Sequence, residues 1–78
     1  MAKQLTLDEL SPGRMCVMTG LTAEGALGQR LMDLGFFPGA SIRVVRNAPL
    51  VDPVEIELDG YHVTIRHDEA RTVEVSES

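Results

Sequence analysis

Aromatic side chains are nearly missing from this chain. There is no tryptophan, one tyrosine (Tyr61) and two phenylalanines (Phe36 and Phe37). That scarcity argues against the aromatic-lined groove that binds proline-rich peptides. Cysteine is scarcer still: Cys16 stands alone, so no internal disulfide is possible. Positive charge is also short, with seven basic residues against twelve acidic ones and a formal net charge of −5. A nucleic-acid binder needs a concentrated basic face to displace counterions. Here the arginines are scattered among Glu and Asp. The same charge disfavours docking on anionic lipid. No apolar run approaches membrane-spanning length. The opening Met1-Ala2-Lys3-Gln4-Leu5 lacks the apolar core of a signal peptide. The expectation is a cytoplasmic protein with no nucleic-acid partner and no membrane insertion.

Chemistry-bearing patterns are missing too. The seven glycines fall at turn and cap spacings, not in a Walker or dinucleotide loop. Carboxylate pairs occur at Asp8-Glu9, Glu55/Glu57 and Asp68-Glu69. Such pairs do acid–base work only when they converge in a sheltered cleft. Glu55 and Glu57 share one face of a strand pattern that reads as solvated. Seventy-eight residues make one domain, 1–78. A chain this short buries only about 60 % of its unfolded surface, which leaves little room for an enclosed substrate pocket. Its net stability is expected on the order of 4–10 kcal/mol. Apolar residues still reach 44 %, enough for a packed core. The pattern implies a chain without catalysis and without a cofactor.

Local signals organise the chain. Thr6-Leu7-Asp8-Glu9 is a capping box, which opens one helical turn that Pro12-Gly13 ends. Arg14 to Leu21 reads as a strand. A helix follows from about Ala26 to Leu34, with Leu27, Leu31 and Leu34 on one stripe. Gly28 lies near that stripe and permits close approach to a sheet, and Gly35 is placed as a left-handed C-cap. Ser41 to Arg46 alternates, as do Val54, Ile56 and Leu58 with Glu55 and Glu57. Asp59-Gly60 is the favoured two-residue hairpin turn. It sets Leu58 against Tyr61, Glu57 against His62, Ile56 against Val63, Glu55 against Thr64 and Val54 against Ile65, apolar inside and polar outside. Arg71 to Val75 supplies a last strand. Five short strands and one short helix imply an all-β fold, a small and strongly bent barrel.

These motifs resemble a known family. Leu7-Asp8-Glu9-Leu10-Ser11-Pro12-Gly13 resembles the opening of FeoA proteins. Gln29-Arg30-Leu31-Met32-Asp33-Leu34-Gly35-Phe36-Phe37-Pro38-Gly39 is similar to their helix-and-turn signature. Ala48-Pro49-Leu50 with Asp52-Pro53 is similar to their proline-containing loop, although Val51 stands where the family usually has Gly. The tail from Ile65-Arg66 to Val73-Glu74-Val75 fits their closing pattern. The resemblance implies an SH3-like β-barrel and an accessory role in ferrous iron transport. The implied partner is FeoB, the iron permease with a cytosolic GTP-binding domain. The same barrel occurs as the C-terminal domain of iron-dependent repressors, so an iron-binding or iron-sensing module is the alternative reading.

Two further groups bear on that choice. An uninterrupted strand sets His62 and His67 on opposite faces, and His67-Asp68-Glu69 reads as a solvated turn rather than a metal site. Cys16, with no second cysteine near it, reads as a small apolar residue. No metal ligand set is assigned. Phe36 and Phe37 are adjacent and cannot share one buried direction, so Phe36 is expected in the core and Phe37 outside. Met32 falls about 100–160° off the buried stripe. Met32, Phe37, Leu50 and Val51 are the expected partner-binding residues. Sequence does not say whether the helix turn and the loop are neighbours. A monomer, or weak self-association through a strand edge, is expected.

Overall fold

The computed structural model describes residues 4–78. Met1, Ala2 and Lys3, on which part of the leader-peptide reading rests, lie outside them. The strands are β1 (Leu5–Thr6), β2 (Met15–Leu21), β3 (Ser41–Arg46), β4 (Val54–Leu58), β5 (Tyr61–Ile65) and β6 (Val73–Glu77). Helix α1 spans Gly25–Leu34, α2 spans His67–Ala70, and Leu7–Glu9 form a single 3₁₀ turn. All pairings are antiparallel, in the order β1-β6-β2-β3-β4-β5. β1 and β5 are therefore the two edges among the described residues. Bulges between Met18 and Gly20, and between Val44 and Arg46, break the register and curl the sheet.

Alternation fills the core. Cys16 and Met18 of β2, Ile42 and Val44 of β3, and Val54, Ile56 and Leu58 of β4 all point inward and are buried. Leu31 of α1 and Phe36 close the cluster from outside the sheet. Full burial of a side chain such as Phe36 is worth about 1.5–3 kcal/mol. The capping box forms: the Glu9 carboxylate accepts the Thr6 N–H at 3.0 Å. The hairpin pairs all five positions in the expected register. Asp59 and Gly60 have φ of 50° and 90°, the positive pair a type I′ turn demands.

Several expectations need correction. Six strands and two helices form instead of five strands and one helix, the extra strand being Leu5–Thr6. Tyr61 does not join the core beside Leu58; it is 77 % exposed, because it lies on an edge strand with no neighbour to cover it. Leu34 is also exposed, since the helix ends there and Phe36 takes the buried place. Residues 67–70 form a short helix instead of a solvated turn, and β6 starts at Val73 because Thr72 still bonds back to Glu69 O at 3.0 Å. Gly28 admits close approach, but to a loop: a Cβ there would meet the Ala23 carbonyl oxygen at 2.7 Å.

Candidate functional site

The four apolar residues expected at a partner surface lie on segments that flank β3. At its start, the end of α1 and the following turn hold Met32, half-buried, and Phe37, 54 % exposed. Beyond its end, the loop 47–53 carries Leu50 and Val51. Six residues of strand separate them, about 17 Å at the usual rise. The four residues expected at a partner surface therefore form two clusters, one at each end of β3.

The loop cluster is hydrogen-bonded at its base. The Asn47 amide nitrogen donates to the carbonyls of Asp8 (3.0 Å) and Leu10 (2.7 Å). That commitment leaves the Asn47 oxygen to meet His67 Nε2 at 2.8 Å. On the other side Asp52 Oδ1 accepts the His67 N–H at 2.8 Å and meets Nδ1 at 2.7 Å. One imidazole thus links both ends of the loop. The hydrogen bonds from His67, backbone first and ring second, hold the Asp52 carboxyl below its ordinary range.

At the tip, Val51 N–H donates to Ala48 O at 3.1 Å, with Pro49 and Leu50 between. This is the pattern of a type II turn, whose third position needs positive φ and normally holds Gly or Asn. Leu50 occupies it with φ of 62° and is 100 % exposed. The left-handed conformation costs a residue with Cβ roughly 1–2 kcal/mol. The Leu50 side chain lies wholly in solvent, so the fold gains no burial from it. Val51 is 57 % exposed beside it.

The acid response of this clamp follows from Asp52. Its folded pKa is lowered, so the stability it contributes is present above the unfolded carboxylate value and is lost as pH falls through the folded one. The melting temperature is expected to fall below about pH 4, the unperturbed carboxylate range. Asp52→Asn is expected to flatten that acid slope. A slope unchanged by the substitution would remove Asp52 from the account.

Other polar groups are spent internally. His62 Nε2 meets Glu55 Oε1 at 3.2 Å, diagonally, and not its register partner Glu57. Glu57 is instead taken by Arg43 at 3.0 Å, and Arg46 reaches Glu55 at 3.3 Å. Buried Glu69 accepts the Arg66 N–H at 2.9 Å and pairs with Arg30 of α1. Cys16 is buried, and burial with the nearby Glu77 charge pushes its thiol up to about 11, so it stays protonated. Among the described residues no group of three His, Cys, Asp or Glu is placed to hold a metal ion. Both ring nitrogens of His67 are engaged within the chain. Sequence reasoning missed the Asn47–His67–Asp52 link. Its only local signal was a polar residue at each base of a proline-containing loop.

Comparison with known proteins places this arrangement. The sequence model of one family, the FeoA domain, matches residues 5–77. A fusion protein of Fe(2+) transport protein A and Fe(2+) transporter FeoB from Porphyromonas gingivalis is 35 % identical over 91 % of this chain. The chain spans only 8 % of that protein's length. A putative Fe(2+) transport protein A from Campylobacter jejuni is 32 % identical, over 92 % of this chain and 97 % of its own. The solved FeoA of Stenotrophomonas maltophilia, complexed with zinc and described as a prokaryotic SH3 domain protein, is 29 % identical with a TM-score of 0.81. That match covers 92 % of this chain and 89 % of the other. A manganese-dependent transcriptional repressor shares the fold alone, at 13 % identity and a TM-score of 0.89 over all of this chain and 43 % of its own. With the barrel-like sheet, the helix-and-turn signature and the matched span in agreement, the chain belongs to the FeoA family of ferrous iron transport proteins.

Proposed function

We propose that this chain is a cytoplasmic accessory protein that acts by direct contact with a FeoB-type ferrous iron permease, without catalysis of its own. The observation that carries this reading is the Leu50–Val51 tip: apolar and exposed, with Leu50 wholly in solvent at positive φ, on a loop anchored at both bases. Preorganisation of that kind lowers the ordering cost of binding. The Porphyromonas gingivalis relative, in which the two proteins are one chain, supports the permease as the partner. Phe37 at the other end of β3 is proposed as a second, separate contact.

The alternative is an iron-binding or iron-sensing module. It draws on the fold shared with the repressor and on the zinc in the Stenotrophomonas maltophilia protein. The engaged nitrogens of His67 and the protonated Cys16 thiol favour the contact reading.

Ferrous iron uptake in cells tests the proposal. Deleting the chain is expected to lower uptake where the permease is present and to change nothing where the permease is deleted. Equal uptake with and without the chain, in permease-containing cells, would overturn it.

A further inference from the structure

β5 is an edge whose inner face is incompletely covered. On β4 the inward residues Val54, Ile56 and Leu58 are all buried. On β5 their partners thin out: Ile65 is buried, Val63 is half-buried and Tyr61 is exposed. The backbone is unpaired in the same place. A two-residue turn makes Leu58 and Tyr61 a hydrogen-bonded pair, so Tyr61, Val63 and Ile65 direct their N–H and C=O groups at β4. His62 and Thr64 direct theirs outward, and among the described residues β5 pairs with β4 alone.

We propose that a second copy of this chain covers this edge, by antiparallel pairing of β5 with β5 about a two-fold axis through Val63. That register uses all five residues of the strand. It sets Val63 against Val63 and Tyr61 against Ile65 on the inner face, and His62 against Thr64 on the outer face. Each cross-strand pair is therefore like with like, apolar with apolar and polar with polar. His62 and Thr64 exchange both hydrogen bonds with their counterparts, so the outward backbone groups are satisfied. Sliding by two residues in one direction opposes His62 to His62; sliding in the other opposes His62 to Arg66. The central register avoids both and places Arg66 of one copy across from Gly60, beside Asp59 of the other. The contact is isologous and closes on itself, which ends growth at a dimer. It is small, and each copy carries a net charge of −5. The dimer is therefore weak, and added salt strengthens it by screening the repulsion.

Sedimentation velocity tests this. The chain is expected to be monomeric at ~10 µM and substantially dimeric at ~1 mM, a weak self-affinity. The dimer fraction rises with salt. Thr64→Pro removes an outward N–H while leaving the β4 ladder intact, and is expected to abolish the dimer with an unchanged far-ultraviolet spectrum. A second arm does not depend on proline. Val63→Cys places two thiols across the axis at a non-hydrogen-bonded pair, with Cβ atoms about 4.5–5.5 Å apart. Mild oxidation is expected to link it far faster than the control Thr22→Cys on an exposed loop. A wild-type chain monomeric throughout, a dimer indifferent to Thr64→Pro, or cross-linking no faster than the control would each overturn the proposal.

Discussion

Gly35→Val is expected to lower the unfolding free energy by about 2–5 kcal/mol, close to half of what a chain of this length has. Two effects add. Gly35 has φ of 111°, which a β-branched residue resists. It forms the left-handed step of a Schellman ending: Gly35 N–H bonds Met32 O at 2.9 Å and Phe36 N–H bonds Leu31 O at 3.1 Å. The second effect is steric. A Cβ at Gly35 would sit 3.3 Å from Leu58 Cδ2, and Leu58 is packed in the core. The same ending aims Phe36 inward, so straining it loosens the largest buried side chain. Urea denaturation measures the loss. Gly35→Ala is expected to cost less, since it keeps the strain and omits the branched methyls. A midpoint unmoved by Gly35→Val would mean that the cap and Leu58 yield together.

The second large effect separates function from stability. Leu50→Asn is expected to raise stability by up to about 1 kcal/mol, because Asn tolerates the left-handed conformation that leucine occupies under strain. Nothing of the core is lost, since Leu50 is wholly exposed. Under the proposed contact, the same substitution puts an amide where an apolar anchor is required. Loss of an anchor typically costs 2 kcal/mol or more, roughly 30-fold in affinity. Ferrous iron uptake is therefore expected to fall towards the level of cells without the chain, while the melting temperature holds or rises. Phe37→Glu probes the other end of β3 in the same way. It is a cleaner probe than Met32→Asp, because Met32 is half-buried and its loss disturbs packing. A Leu50→Asn chain that supports full uptake would move the contact to the Phe37 end or to the outer face of the β4–β5 hairpin.

Much of the fold was legible because its signals are local. The Asp59-Gly60 turn and the alternation on either side left one register that buries one face, and the hairpin has it. Thr6 with Glu9, and Gly35 after an apolar stripe, announced their caps within a few residues. Tyr61 failed because register fixes which face a side chain takes, not whether anything covers that face. Only the strand order puts β5 at an edge. The clamp under the loop failed for another reason. Asn47 reaches Asp8 and Leu10, and His67 reaches Asp52 and Asn47, across sequence separations that carry no periodic signal. Nor did Val51, in place of the glycine usual in the resembled loop, reveal that Leu50 takes the positive φ. Likewise, the apolar character of Met32, Phe37, Leu50 and Val51 did not disclose that β3 lies between the two pairs.

The contact itself is open to direct measurement. Full-length permease purified in detergent, titrated with fluorescently labelled chain, reads binding without reference to uptake. The account predicts saturable one-to-one binding that an excess of unlabelled chain displaces and that Leu50→Asn weakens at least about 30-fold. Absence of saturable binding by the folded wild-type chain, with the permease competent to bind nucleotide, would contradict it.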